Sequence, residues 1–179
     1  VLTPNLNGNP DEAIIKLIGD SINSNFVGLF CQDHSISPNV LFMSATLLAL
    51  NKFTFSDKAL ITTIFNGRSN SNYYNTQGML VKTLPIMVDS SKRDMMIEDF
   101  IKVVDKSWKD SLVHSNYSYT KLSEDYQLKP EFFFSYQEFL QSEEVIINGK
   151  KYHETALLSD DLTSVTYKIN FDIFVYENK

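Results

Sequence analysis

Cysteine is nearly absent from this chain. Cys31 is the only one, so no internal disulfide can form, and a reducing cytoplasm is the expected compartment. Arginine is almost as scarce: Arg68 and Arg93 are the only two. Together 16 Lys and Arg face 22 Asp and Glu, which leaves a net charge of −6 and a pI near 5.0. With no basic run, neither a nucleic-acid partner nor a membrane partner is expected. No apolar run is long enough to cross a bilayer, and no basic-then-apolar leader opens the chain. Histidine is limited to His34, His114 and His153, no two of them close in sequence. Neither a Cys/His cluster with metal spacing nor a neighbouring histidine pair is therefore spelled out, and no metal site is expected. The nucleophile elbow G-x-S-x-G, the P-loop and G-x-G-x-x-G are missing too. Read from its residues alone, the chain holds no catalytic constellation.

What is present is core-forming material. The 179 residues are 43% hydrophobic and 13% aromatic, enough for one domain with a real core or for half of a two-lobed unit. The chain opens on Val1 rather than Met, as an excerpt of a longer protein would. Its organising stretch is Ala59 to Asp89. Ala59–Phe65 and Met79–Val88 mix β-branched and aliphatic residues and read as two buried strands around a polar loop rich in Asn, Ser and Tyr. Asn66-Gly67 ends the first strand, where glycine permits positive φ or close approach of another chain. Arg68 follows at once. It reads by default as a surface arginine, yet a cation at a strand end is also where α/β folds place functional groups.

Around this pair the rest falls in order. Residues 1–10, with two prolines and a glycine, read as a loop or linker; Ala13–Ile18 is apolar and fits strand or helix. Asp20 or Ser21 is a candidate cap for a helix to about Asp33, with Ile22, Phe26, Leu29 and Phe30 at helical spacing. His34 at its end is placed to satisfy terminal carbonyls. SISPN breaks the helix, and Pro38 suits the first turn of the next, Val40–Lys52, which is apolar nearly all round and expected to be buried. Met95–Val113 is the clearest amphipathic helix, its charges forming a solvated face. Tyr119–Tyr126 predicts a short helix and EFFFSYQ a strand. Asn148-Gly149 predicts a hairpin within Val145–Tyr152, and Ser164–Tyr176 a last alternating strand. Strands alternating with helices predict an α/β layered domain, a mixed sheet with helices packed on it.

Several of these segments carry a resemblance. Gly67-Arg68 at a strand end, then Gly78-Met-Leu-Val-Lys-Thr-Leu-Pro85, resembles the I/V-G-x-F-V-N-T-L-P element of nonribosomal peptide synthetase condensation domains, with Lys82 where that family usually carries Asn and Leu80 where it carries Phe. His114-Ser-Asn-Tyr-Ser-Tyr119 is similar to H/N-Q-D-Y-P-F-E, with Ser118 in place of Pro. Lys129–Gln137 and the terminal YKINFDIF resemble the family's last core strands. The resemblance spans about residues 20–176 and implies the C-terminal lobe of such a domain, a chloramphenicol acetyltransferase-like half-domain. It implies a cytoplasmic parent that joins carrier-tethered aminoacyl or peptidyl thioesters through an amide bond. It also implies an active-site HHxxxDG in the N-terminal lobe, which this chain lacks, so the chain alone is expected to be inactive.

The partners implied are that N-terminal lobe and peptidyl or acyl carrier proteins. No cofactor is bound directly; phosphopantetheine arrives on the carrier. Interlobe or tunnel roles are implied for Gly67, Arg68, Gly78, Lys82, Thr83, His114, Tyr117 and Gln137, with Arg68 free to pair with the Asp of HHxxxDG. Carrier docking is implied for Arg93 and Lys121. A related acyltransferase, and a degenerate lobe that only binds carriers, are the alternatives that the same resemblance leaves open.

Overall fold

The computed structural model describes residues 22–68, 71–73, 75–90, 95–137, 144–148, 150–153 and 169–174. Among the described residues four α-helices and six strands follow in the order α1 (Ser24–His34), α2 (Pro38–Thr54), β1 (Lys58–Phe65), β2 (Lys82–Asp89), α3 (Ile97–Val113), α4 (Tyr119–Tyr126), β3 (Phe132–Gln137), β4 (Glu144–Ile147), β5 (Lys150–His153) and β6 (Ile169–Phe174), with a short 3-10 turn at Ser71–Tyr73 between β1 and β2. A mixed four-stranded sheet has the order β2-β1-β3-β6. β1 and β2 are antiparallel, from Lys58 opposite Asp89 to Phe65 opposite Lys82, while β1, β3 and β6 run parallel. β4 and β5 form a separate hairpin that turns through Asn148 at φ 51. The expected α/β layered fold is the one observed.

One face of the sheet builds the core. Ala59, Ile61, Ile86, Val88 and Phe134 pack there against Val40, Met43, Leu47 and Leu50 of α2 and Phe100, Ile101 and Val104 of α3. Ser37 caps α2 by accepting the Val40 N–H, and Pro38 sits in its first turn. α3 also runs along the free edge of β2. Ser107 donates to the Met87 carbonyl at 3.1 Å and Ser111 to that of Pro85 at 3.2 Å. The spacing fits: four helical residues advance about 6 Å and two strand residues about 6.6 Å. Pro85 belongs on this edge, where the N–H it lacks would have met no strand. The two serines occupy carbonyls that would otherwise invite another strand.

Three expectations shift. Met79–Val88 is not a fully buried strand: β2 starts at Lys82 and alternates, burying Leu84, Ile86 and Val88 while Met87 is 62% exposed. The first helix starts at Ser24 with Asn23 as its cap, the side chain accepting the Asn25 N–H. Its inner side holds Phe30 and buried Cys31, whereas Ile22, Phe26 and Leu29 face out, Phe26 71% exposed. Helical spacing finds a stripe but does not say which stripe a neighbour covers. The segments 1–10 and Ala13–Ile18, the cap candidates Asp20 and Ser21, Gly149 and both ends of the Ser164–Tyr176 strand lie outside the described residues.

Candidate functional site

The reverse face of the sheet, away from the α2 and α3 core, differs in chemistry. From the register it carries Thr83, Pro85 and Met87 on β2, Leu60, Thr62 and Ile64 on β1, Phe133, Ser135 and Gln137 on β3, and Asn170 and Asp172 on β6. Hydroxyls, amides and a carboxylate stand among a few apolar residues. Thr62 and Ser135 are fully buried, and Thr62 Oγ1 has no hydrogen-bond partner among the described residues. Gln137 donates from Nε2 to Ser135 Oγ at a long 3.5 Å.

At the carboxyl ends of β1 and β3, where open α/β sheets place ligands, the local sequence sets a tight turn. Asn66 Oδ1 accepts the Arg68 N–H at 3.0 Å, closing a side-chain turn around Gly67 at φ 70. Gly67 is pressed against the Leu80 backbone, and an added Cβ would lie 1.9 Å from the Leu80 carbonyl oxygen. The turn aims the Arg68 guanidinium along the following loop. Nη1 donates to the carbonyls of Tyr73 and Thr76, and Nη2 to that of Gly78 at 3.3 Å. Arg68 is thus half-buried, and three backbone acceptors of the following loop curl round its fork. No acid pairs with it among the described residues.

The second neighbourhood is the α3–α4 corner. Lys82, opposite Phe65 at the start of β2, reaches across to donate to Asn116 Oδ1. His114 is the C-cap of α3 and exposed; it borders a shallow groove of about 380 Å³ with Val103, Lys106, Ser107, Asp110 and Ser111. Tyr117 donates its hydroxyl to Asp125 Oδ2 at 2.9 Å. That bond to a carboxylate raises the phenol above its ordinary value, with smaller contributions from burial and from the charge itself. Ser118 caps α4 through the Lys121 N–H, which leaves the Lys121 side chain exposed in the first turn.

The structure therefore groups Gly67, Arg68 and Gly78 at one sheet end; Lys82 opens β2 at that end and bonds Asn116, which lies in sequence between His114 and Tyr117, while Lys121 stands in the first turn of α4. Thr83 and Gln137 lie on the reverse face. Arg93 lies outside the described residues, as does the side chain of His153. His34 is accounted for by the fold: its Nδ1 lies 2.9 Å from the Phe30 carbonyl, and its ring stacks on Phe30 at 4.0 Å. Sequence reading missed the three-carbonyl clasp of Arg68 and the sunken Thr62 and Ser135. The alternation of β1 and β3 held a signal for that pair, placing one Thr and one Ser on the face opposite Ile61 and Phe134. No group of metal-ligating side chains occurs among the described residues, and none of their helices is long and apolar enough to cross a membrane.

The family model described as "Condensation domain" matches residues 6–176. No curated relative matches the chain. Among solved structures, a holo four-domain nonribosomal peptide synthetase bound to AMP and glycine is similar at TM-score 0.61 and 20% identity, over 68% of this chain and 10% of that one. The first condensation domain of the CDA synthetase gives 0.58 and 14%, over 65% of this chain and 28% of that one. The acyl transferase PapA2 gives 0.52 and 15%, over 64% and 26%. The chain thus spans between a tenth and 28% of the length of these matched chains.

Proposed function

The chain belongs to the condensation-domain family, and from that premise we propose that it is the C-terminal lobe of a domain joining two carrier-tethered substrates through an amide bond. The observation that carries this reading is the division of labour between the two faces of the sheet. One face is spent on the α2 and α3 core, while the other presents Thr83, Gln137 and Asp172. A face of that kind suits one wall of a tunnel for an extended, amide-bearing phosphopantetheine arm. In the reaction, the acceptor amine attacks the thioester carbonyl, the amide C–N bond forms, and the C–S bond breaks to release the thiol, which takes up the proton the amine gives up. The group that positions or deprotonates the amine is a histidine of HHxxxDG, a motif absent from this sequence. The chain by itself is therefore expected to bind a carrier and form no amide.

Docking of the acceptor carrier protein falls to the α3–α4 corner. Carrier proteins are commonly acidic, and this chain carries −6, so long-range attraction is unfavourable and any steering must be local. Lys121 in the first turn of α4, with Lys82 nearby through Asn116, supplies such a patch. Arg93 is the further cation proposed for it. A labelled acidic carrier titrated against the chain should bind weakly at low salt and lose binding at high salt. Lys121→Glu should weaken it by roughly three- to tenfold, the scale of an exposed charge pair and its reversal. Identical binding by both proteins at both ionic strengths would remove the corner from the docking surface.

A further inference from the structure

Arg68 is more than a cation at a strand end. Its guanidinium has five N–H groups, and three of them are spent on the carbonyls of Tyr73, Thr76 and Gly78, which are spread over six residues of the loop. The loop's own backbone adds bonds to the same carbonyls and their neighbours. Thr76 N–H donates to the Tyr73 carbonyl and Thr76 Oγ1 to that of Asn72, and Gly78 sits at φ 136, outside the range of other residues. Tyr73 and Met79 are exposed at its surface. The Gly67 turn and the Asn66 side chain fix where the Arg68 stem starts, so the fork reaches all three acceptors at once.

We infer that Arg68 is a positioning residue that acts inside this lobe: it holds the backbone at Tyr73, Thr76 and Gly78 in place as a rim at the sheet end. Only the identity of that rim as the tunnel mouth rests on the function proposed above. The planar fork is what the task needs, since a lysine ammonium reaches one or two of three dispersed carbonyls and a charge alone does not bind them. A role confined to charge would be served by lysine as well.

Amide hydrogen exchange on the 179-residue chain separates the two roles. The Thr76 N–H, bonded to the same Tyr73 carbonyl that Arg68 clasps, reports the rim directly. In Arg68→Lys and Arg68→Ala alike, its exchange should accelerate roughly tenfold or more, the loss expected when charge-assisted bonds are removed. Amides of buried β1, such as Ile61, should stay protected and show that both variants are folded. Full protection of Thr76 in Arg68→Lys would overturn the inference in favour of a charge role. Full protection in Arg68→Ala would overturn it in favour of a loop that orders itself. Since the exchange is read without a carrier, neither result depends on the docking experiment.

Discussion

Gly67→Ala should cost about 3–4 kcal/mol of stability, a loss large enough to need a named cause. Two causes combine here. A residue with a Cβ at φ 70 pays about 1–2 kcal/mol for the left-handed region. The Cβ would also lie 1.9 Å from the Leu80 carbonyl oxygen and 2.9 Å from its carbon. Both are backbone atoms, so relief requires the chain leading into β2 to move away from β1, next to the Phe65–Lys82 pair that opens their ladder. Gly28→Ala is the matched control, because it lies inside α1 with nothing within 4 Å of the added atom. That change should stabilise by about 0.5–1 kcal/mol, the helical advantage of alanine. Urea midpoints of the two variants should therefore move in opposite directions, and a shared direction would refute the close approach of Gly67 to Leu80.

Phe134→Ala is expected to be at least as damaging, at about 3–5 kcal/mol. Phe134 is fully buried at the centre of β3, in the cluster where α2 meets the sheet. Removing the ring leaves a cavity lined by β1 and α2, which the strand pairing keeps from collapsing. Because a domain holds only about 5–15 kcal/mol in total, a large part of the fold's margin goes with it. Phe133→Ala, one residue earlier on the half-buried reverse face, should cost distinctly less. Equal losses at the two positions would mean that the two faces of the sheet are not divided as described.

These neighbours also show how far the sequence could be read. FFFSYQ announces a strand through its aromatic residues, yet nothing in three consecutive phenylalanines says which one faces the helices. Pairing decides it: Phe134 lies beside Thr63 and Phe133 beside Thr62. α4 matched its expected bounds, Tyr119–Tyr126, because a serine cap and a short polar–apolar pattern are local signals. The start of α2 was legible within two residues of Val40 through Pro38, a local signal of the same kind. The Arg68 clasp was not, since its acceptors are backbone carbonyls five, eight and ten residues on. Carbonyls leave no trace in residue type, and no periodicity sets the course of that loop. The bond from Lys82 to Asn116 spans 34 residues and depends on where the end of α3 falls beside β2, which is a tertiary fact.

The central claim, that the reverse face is the wall along which a carrier delivers its arm, is open to direct crosslinking. Cys31 is the only cysteine; it is buried, and burial pushes its thiol above the ordinary range, so it should stay inert. Single cysteines placed by Thr83→Cys and Gln137→Cys on the reverse face, and by Lys52→Cys on the exposed side of α2, can then be compared. The probe is a carrier protein whose phosphopantetheine arm ends in a chloroacetyl group, which a nearby thiolate captures as a thioether with loss of chloride. Crosslinking at positions 83 and 137, with little at 52, is the predicted result; equal capture at all three, or capture confined to position 52, would contradict the account.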